Sequence, residues 1–130
     1  MAGKGNMNKV LFSSISDEWK TPESLYNKLN QEFHFDFDPC PLGGVKGLEI
    51  EWGKCNFVNP PYSDIKNWCK KCYEESLKGK TVVLLIPSRT DTFYWHEYCM
   101  KAKEIRFVRG RLKFGDSKNS APFPSCIVIF

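Results

Sequence analysis

Apolar positions recur with two different periods along this chain, and the switches between those periods predict its elements. Leu25, Leu29 and Phe33 stand four residues apart, the spacing of one buried helix face. Thr21-Pro22-Glu23 reads as the start of that helix. Thr21 can cap, Pro22 suits the first turn, and Glu23 faces the positive helix end. Residues 33–38 then alternate apolar and polar, as a strand does, and stop at Pro39. A loop through Gly43-Gly44 follows. A short buried strand is predicted over 55–58, and a helix from 63 or 64 to 77 that ends near Gly79. Thr81-Val82-Val83-Leu84-Leu85-Ile86 is apolar almost throughout, the pattern of a central parallel strand buried on both faces. A helix over 92–102 and strands over 104–108, 111–114 and 126–130 complete the reading. The first two of those strands could form a hairpin turned at Arg109-Gly110.

Strand, helix, strand, helix, strand implies an α/β sheet with helices on its faces. Ligands of such sheets sit beyond the C-terminal strand ends. Asp38, Asn59 and Ser88 all fall at predicted strand ends, so three strands point at one crevice. With 130 residues the chain makes one domain, expected over 13–130 after a flexible segment over 1–12. No run approaches the roughly 18 apolar residues of a membrane span, and the N-terminus lacks the apolar stretch of a signal peptide. The expectation is a cytosolic protein.

Charge and cysteine content refine this picture. The net charge of +4 is mild. Its distribution says more: Lys101, Lys103, Arg106, Arg109, Arg111, Lys113 and Lys118 face only Glu104 and Asp116 across that stretch. A basic C-terminal third suits a polyanion, and equally an ordinary solvated surface. Cys69-Lys70-Lys71-Cys72 has zinc-like spacing. Yet Ile65, Trp68, Cys69, Cys72 and Tyr73 form one apolar stripe on the predicted helix, which favours buried free thiols and no metal.

The chemistry concentrates at Asn59-Pro60-Pro61-Tyr62, which leaves the C-terminal end of the strand over 55–58. An amide, two residues of fixed φ and an aromatic ring meet there. That combination suits gripping a planar amine. The Asn59 oxygen and the Pro60 carbonyl can each accept one N–H, and Tyr62 can stack on a base face. Positioning and aimed dipoles then suffice, with no strong general base.

With Asp17-Glu18-Trp19-Lys20-Thr21-Pro22, Phe35-Asp36-Phe37-Asp38-Pro39-Cys40, Pro87-Ser88-Arg89-Thr90-Asp91-Thr92 and Gly110-Arg111-Leu112-Lys113-Phe114 in order around that tetrapeptide, the chain resembles the phage-type, Dam-like DNA N6-adenine methyltransferases. The resemblance runs from about residue 13 to residue 130. It implies a Rossmann-like methyltransferase fold, S-adenosylmethionine as methyl donor and the N6 amine of adenine in double-stranded DNA as acceptor. It also implies a bacterial cytoplasmic setting, encoded by phage or prophage. By similarity, Trp19, Thr21, Pro22, Asp38, Pro39 and Cys40 are cofactor-pocket residues, and Asn59, Pro60, Pro61 and Tyr62 carry the catalytic role. Ser63, Arg89, Arg111, Lys113 and Lys118 are candidates for nucleic-acid contact around a flipped base. Arg89 pairing with Asp91, and Arg111 stabilising the hairpin, are the plainer alternatives. Cytosine N4, an RNA base or a glutamine amide are alternative acceptors for the same tetrapeptide, and a non-catalytic DNA-binding module would keep the same fold.

Two features depart from the family pattern. The usual Gly-x-Gly after the first strand is missing, and Lys46-Gly47-Leu48 stands where Asp-Gly-Leu is expected, with Glu49 or Glu51 as possible substitutes. Only 16 residues, Pro41 to Asn56, lie between the first strand and the end of the short strand before Asn59, an interval that holds two further strands and their crossovers in a full methyltransferase sheet. One crossover already takes a dozen or more residues. The expectation is a reduced mixed sheet of five or six strands with a C-terminal antiparallel hairpin.

Overall fold

A computed structural model describes residues 20–40, 46–115 and 119–130. The segment expected to be a flexible arm, together with Trp19, Gly43, Gly44 and Lys118, lies outside the described residues. The long apolar run forms the central strand β2 (Thr81–Pro87), flanked on one side by β1 (Cys55–Val58) and on the other by β4 (Ser125–Ile129) and then β3 (Glu104–Phe107). β1 runs parallel to β2, while β4 is antiparallel to both β2 and β3. The sheet is therefore mixed and has four strands, not five or six.

Two strands predicted from alternation account for the difference. Residues 33–38 contribute a single parallel bridge, Phe37 to Asn56, at the edge beside β1. The helix claims Phe33, and His34 leaves it in the left-handed region (φ 57°), so little extended chain remains. Residues 111–114 form no strand; Leu112 instead accepts a hydrogen bond from Ala121 N–H at 2.8 Å across a wide loop. The antiparallel pair at the C-terminus is β3 with β4, joined by that loop and not by a tight turn at Arg109-Gly110.

Helices cover both faces. On one, α1 (Glu23–Phe33) sets Leu29 against Phe57, Val83, Leu85, Ile127 and Ile129. On the other, α2 (Ile65–Ser76) and the five-residue α3 (Phe93–Glu97) set Trp68, Cys69, Cys72 and Trp95 against Val58, Val82, Leu84, Ile86 and Val128. The helix predicted over 92–102 changes to a 3-10 turn at Cys99–Lys101, which keeps Trp95 and Cys99 on the inward side. Residues Val82 to Ile86 have no exposed surface at all, as expected of a strand buried on both faces.

The short interval before β1 is packed tightly. Lys46 opens a 3-10 turn at Gly47–Glu49. A Cβ on Gly47 would come within 2.0 Å of the Pro39 carbonyl oxygen and 2.6 Å of the Trp68 ring. Trp52 donates from Nε1 to Gly47 O at 2.7 Å and stacks on Trp68 at 6.2 Å. Asn56, fully buried, bridges Gly53 and the Thr81 carbonyl with its amide. Glu75, also buried, accepts from Trp52 N–H and forms ion pairs with Lys71, Lys78 and Lys80. Glu51 shares Lys78 and Lys80, so its carboxylate is committed to this cluster.

Candidate functional site

Asn59 follows β1, Ser88 follows β2, and Asp38 follows the Phe37 bridge, all at the same end of the parallel strands. The ends are staggered. Extending the registers places Asp38 beside Phe57, two residues before Asn59, while Ser88 lies three positions beyond the level of Asn59. The crevice therefore climbs across the sheet edge, with Asn59 midway.

Within the tetrapeptide, Asn59 is half-buried, Pro60 fully buried, and Pro61 extended at φ −63° and ψ 132°. Every described peptide bond here is trans. Asn59 Nδ2 donates to Thr21 Oγ1 at 3.0 Å. This contact corrects the role expected for Thr21: α1 has Pro22 as its N-cap residue and no side-chain capping bond. The Thr21 hydroxyl instead crosses to the strand end and holds the Asn59 amide. Lys20 O accepts from Gly115 N–H at 3.0 Å, which ties the same segment to the loop after β3.

Tyr62 begins a 3-10 turn that leads into α2. Its ring is half-buried and meets Phe123 and Phe114 at near-perpendicular angles, at 5.4 and 6.5 Å. Burial, with the neighbouring Cys126 and Tyr94, pushes its phenol far above the ordinary range, so it stays protonated. Asp38 accepts from Cys40 N–H at 2.9 Å. Asp38 as a whole residue is exposed, yet its carboxyl lies among protein atoms; that burial raises its pKa, and the Cys40 N–H opposes the rise. Pro39 and Cys40 are buried behind it.

The nucleic-acid candidates divide. Ser63 and Arg89 line one cleft of about 330 Å³ with Tyr62, Ile65, Lys66, Thr92 and Tyr94. Arg89 makes no ion pair with Asp91 among the described residues. Arg111 donates to Ala121 O at 3.4 Å and so helps hold its own loop, while Lys113 is exposed on the same loop. Thr92 closes the motif that begins at Pro87, whereas Lys66, Tyr94 and Phe123 are not among the residues singled out from the sequence. Lys66 sits one turn beyond Tyr62, and Phe93-Tyr94-Trp95 is an aromatic run directly after that motif, so both carry a signal.

The cysteines are all free thiols, and Cys69 faces Cys99 in the core at 4.0 Å between sulfurs. The contact with Cys99, and then burial, raise the Cys69 pKa; burial raises that of Cys72. Among the described residues no group of three or more His, Cys, Asp or Glu could hold a metal ion, and no helix is long and apolar enough to cross a membrane.

No curated protein and no solved structure matches the chain. The family described as DNA N-6-adenine-methyltransferase (Dam) matches residues 9–129. That match spans nearly the whole sequence and includes every strand end described above, and the chain belongs to this DNA N-6-adenine-methyltransferase (Dam) family.

Proposed function

We propose that the protein transfers a methyl group from S-adenosylmethionine to the N6 amine of adenine in DNA, at the strand end built on Asn59-Pro60-Pro61-Tyr62. The observation that carries this reading is the Asn59 amide, held by Thr21 at the C-terminal end of β1. The strand order supports it too: parallel β1, β2 and β3 with antiparallel β4 inserted between the last two suit a methyltransferase sheet that has lost its outer strands.

An adenine amine is a weak nucleophile because its lone pair is delocalised into the ring. Asn59 Oδ1 receives one N–H and the Pro60 carbonyl the other, which draws the nitrogen toward tetrahedral geometry and frees the lone pair to form the new N–C bond. Neither proline carries an N–H, so the turn offers acceptors with few competing donors. Tyr62, kept neutral, fixes the plane of the base. The surplus proton leaves to water after transfer. The set of Thr21, Pro22, Asp38 and Pro39 offers a cationic donor one carboxyl, that of Asp38, which accepts from Cys40 N–H, and the Thr21 hydroxyl beside Asn59. When bound, S-adenosylmethionine supplies a methyl group on a sulfonium with a neutral thioether as leaving group. Lys46 is exposed, next to the Gly47 that packs on the Pro39 carbonyl, and Glu51 is engaged by Lys78 and Lys80 and so is a poor substitute for the acid expected near Lys46.

The test is a tritiated-methyl assay on DNA followed by digestion to nucleosides. Label should appear in N6-methyladenine, and Asn59→Ala should lower turnover at least about a hundredfold with circular dichroism unchanged. Undiminished turnover in that variant, or label in another product, refutes the reading.

A further inference from the structure

The cleft beside Tyr62 has a composition that the methyl-transfer step does not use. Ser63 comes from the 3-10 turn before α2, Ile65 and Lys66 from the start of α2, Arg89 and Thr92 from the segment leaving β2, and Tyr94 from α3. Two of its seven lining residues are cations and none is an acid. Among the described residues neither Lys66 nor Arg89 forms an ion pair, whereas Lys71 on α2 and Lys78 and Lys80 in the segment after it are all committed to Glu75 or Glu51. Asp64, the nearest acid in sequence to Lys66, is held by Asn67 Nδ2 at 2.7 Å. Lys66 Nζ lies over the Phe93 ring at 5.2 Å from its centroid. Phe93 is 61% exposed, although Trp95, two residues on, is buried in the core. The short helix α3 therefore anchors itself through Trp95 and presents to solvent a phenyl ring that lies against Lys66 and between the cleft residues Thr92 and Tyr94 in sequence.

A cleft near 330 Å³ is at the small end of ligand sites, about right for one nucleotide. Paired cations recognise a phosphodiester, and an exposed aromatic ring beside them is a stacking platform for a base. We infer that this cleft docks the nucleotide next to the flipped adenine, with its phosphate between Lys66 and Arg89 and its base against Phe93. The inference rests on the proposed DNA substrate and adds the part of the strand that the protein holds outside the reacting base. Holding that neighbour keeps the strand open while the target base occupies the Asn59 turn.

The test uses the full chain and a fluorescein-labelled, adenine-rich duplex, with affinity read by anisotropy over a salt series and no methyl donor present. Lys66→Ala should weaken binding several-fold at moderate salt and reduce the slope of log K against log salt by about one. Phe93→Ala should weaken binding about tenfold with the slope unchanged, the signature of lost stacking. Lys54→Ala, at the opposite end of β1, is the control and should bind like the parent protein with the slope reduced by much less than one. Parent-like affinity and slope in both cleft variants overturn the inference, as does a parent protein that fails to bind the duplex. A Lys66→Ala variant that loses S-adenosylmethionine affinity by calorimetry, while binding DNA normally, also overturns it and assigns the cleft to the donor's carboxylate. Methyl transfer is scored separately: DNA binding that depends on Lys66 and Phe93 without any transfer would support the cleft and refute the proposed reaction, whereas transfer to adenine with cleft-independent binding would do the reverse.

Discussion

Thr21→Val is the most discriminating perturbation of the proposed reacting centre. Valine keeps the branched shape of threonine and replaces only the hydroxyl that accepts from Asn59 Nδ2 at 3.0 Å. Helix α1 has no side-chain cap, so the substitution removes nothing from the helix itself. Loss of a true cap would cost about 1 kcal/mol, and here the expected change in Tm is smaller than that implies. The effect falls on the amide. A single hydrogen bond is worth about 0.5–1.5 kcal/mol net, and Asn59 is only half-buried, so water can satisfy part of the Nδ2 group. If that energy holds Oδ1 in the orientation needed by the transition state, kcat falls about three- to tenfold. The assay is steady-state methyl transfer with both substrates varied, together with a thermal melt. Thr21→Ser retains the hydroxyl and should restore most of the rate. Three outcomes would refute the reasoning: an unchanged kcat in Thr21→Val, no rescue by serine, or a raised KM for the methyl donor with kcat intact. The last would place Thr21 in donor binding alone.

Other predictions concern the scaffold beneath the site. Burial alone would raise the Glu75 carboxyl, but Lys78, Lys80 and Lys71 hold it down at about 2. A depressed carboxylate contributes stability above its unfolded pKa and loses it as pH falls, so melts should show Tm declining from about pH 4.5 toward 2, and Glu75→Gln should flatten that limb. At neutral pH Glu75→Gln should itself lower stability by about 3 kcal/mol in urea titrations, since it leaves three lysines facing an uncharged group. Gly47→Ala places a methyl 2.0 Å from the Pro39 carbonyl and should cost about 1–3 kcal/mol, read as a lower urea midpoint. Extended dialysis against a strong chelator should leave Tm unchanged and release no stoichiometric zinc, because Cys69 and Cys72 pack in the apolar core without a ligand set among the described residues. Zinc at one per chain would refute that.

Elements set by their own residue pattern were legible. The run from Thr81 to Ile86 reports two-faced burial directly, and the stripe from Ile65 to Tyr73 reports α2. What failed were elements whose identity depends on a distant neighbour. Residues 33–38 alternate correctly, but a strand needs a ladder, and only the Phe37 to Asn56 bridge forms. Residues 111–114 also alternate; Leu112 and Phe114 do turn inward, yet they pack under α1 and Tyr62, while β3 takes its partner from residues far along the chain. The break in the helix over 92–102 was invisible for another reason. Trp95 and Cys99 keep helical spacing whether the backbone between them is α-helical or passes through Tyr98 into a 3-10 turn.

The site divides along the same line, and this bears on where its weakness lies. Asn59, Pro60, Pro61 and Tyr62 are adjacent in sequence, so their grouping needed no tertiary information. Thr21 was legible as a polar residue before a helix but not as the group that holds Asn59, because a cap and a contact 38 residues away call for the same hydroxyl. The interval before β1 shows the converse. Its shortness was plain from the sequence, but the way it is closed was not: Gly47 presses on Pro39, Trp52 stacks on Trp68, and Glu75 fastens the backbone of Trp52. These contacts close the interval by packing, without a further strand among the described residues, and they tie the Asp38-Pro39-Cys40 turn to α2. On the proposed reaction, that turn borders the methyl donor. A donor pocket braced by one tight turn is sensitive to its brace, so Gly47→Ala should raise the KM for S-adenosylmethionine more than the KM for DNA. Equal changes in both constants would show that the turn braces the whole fold and has no special bearing on the donor.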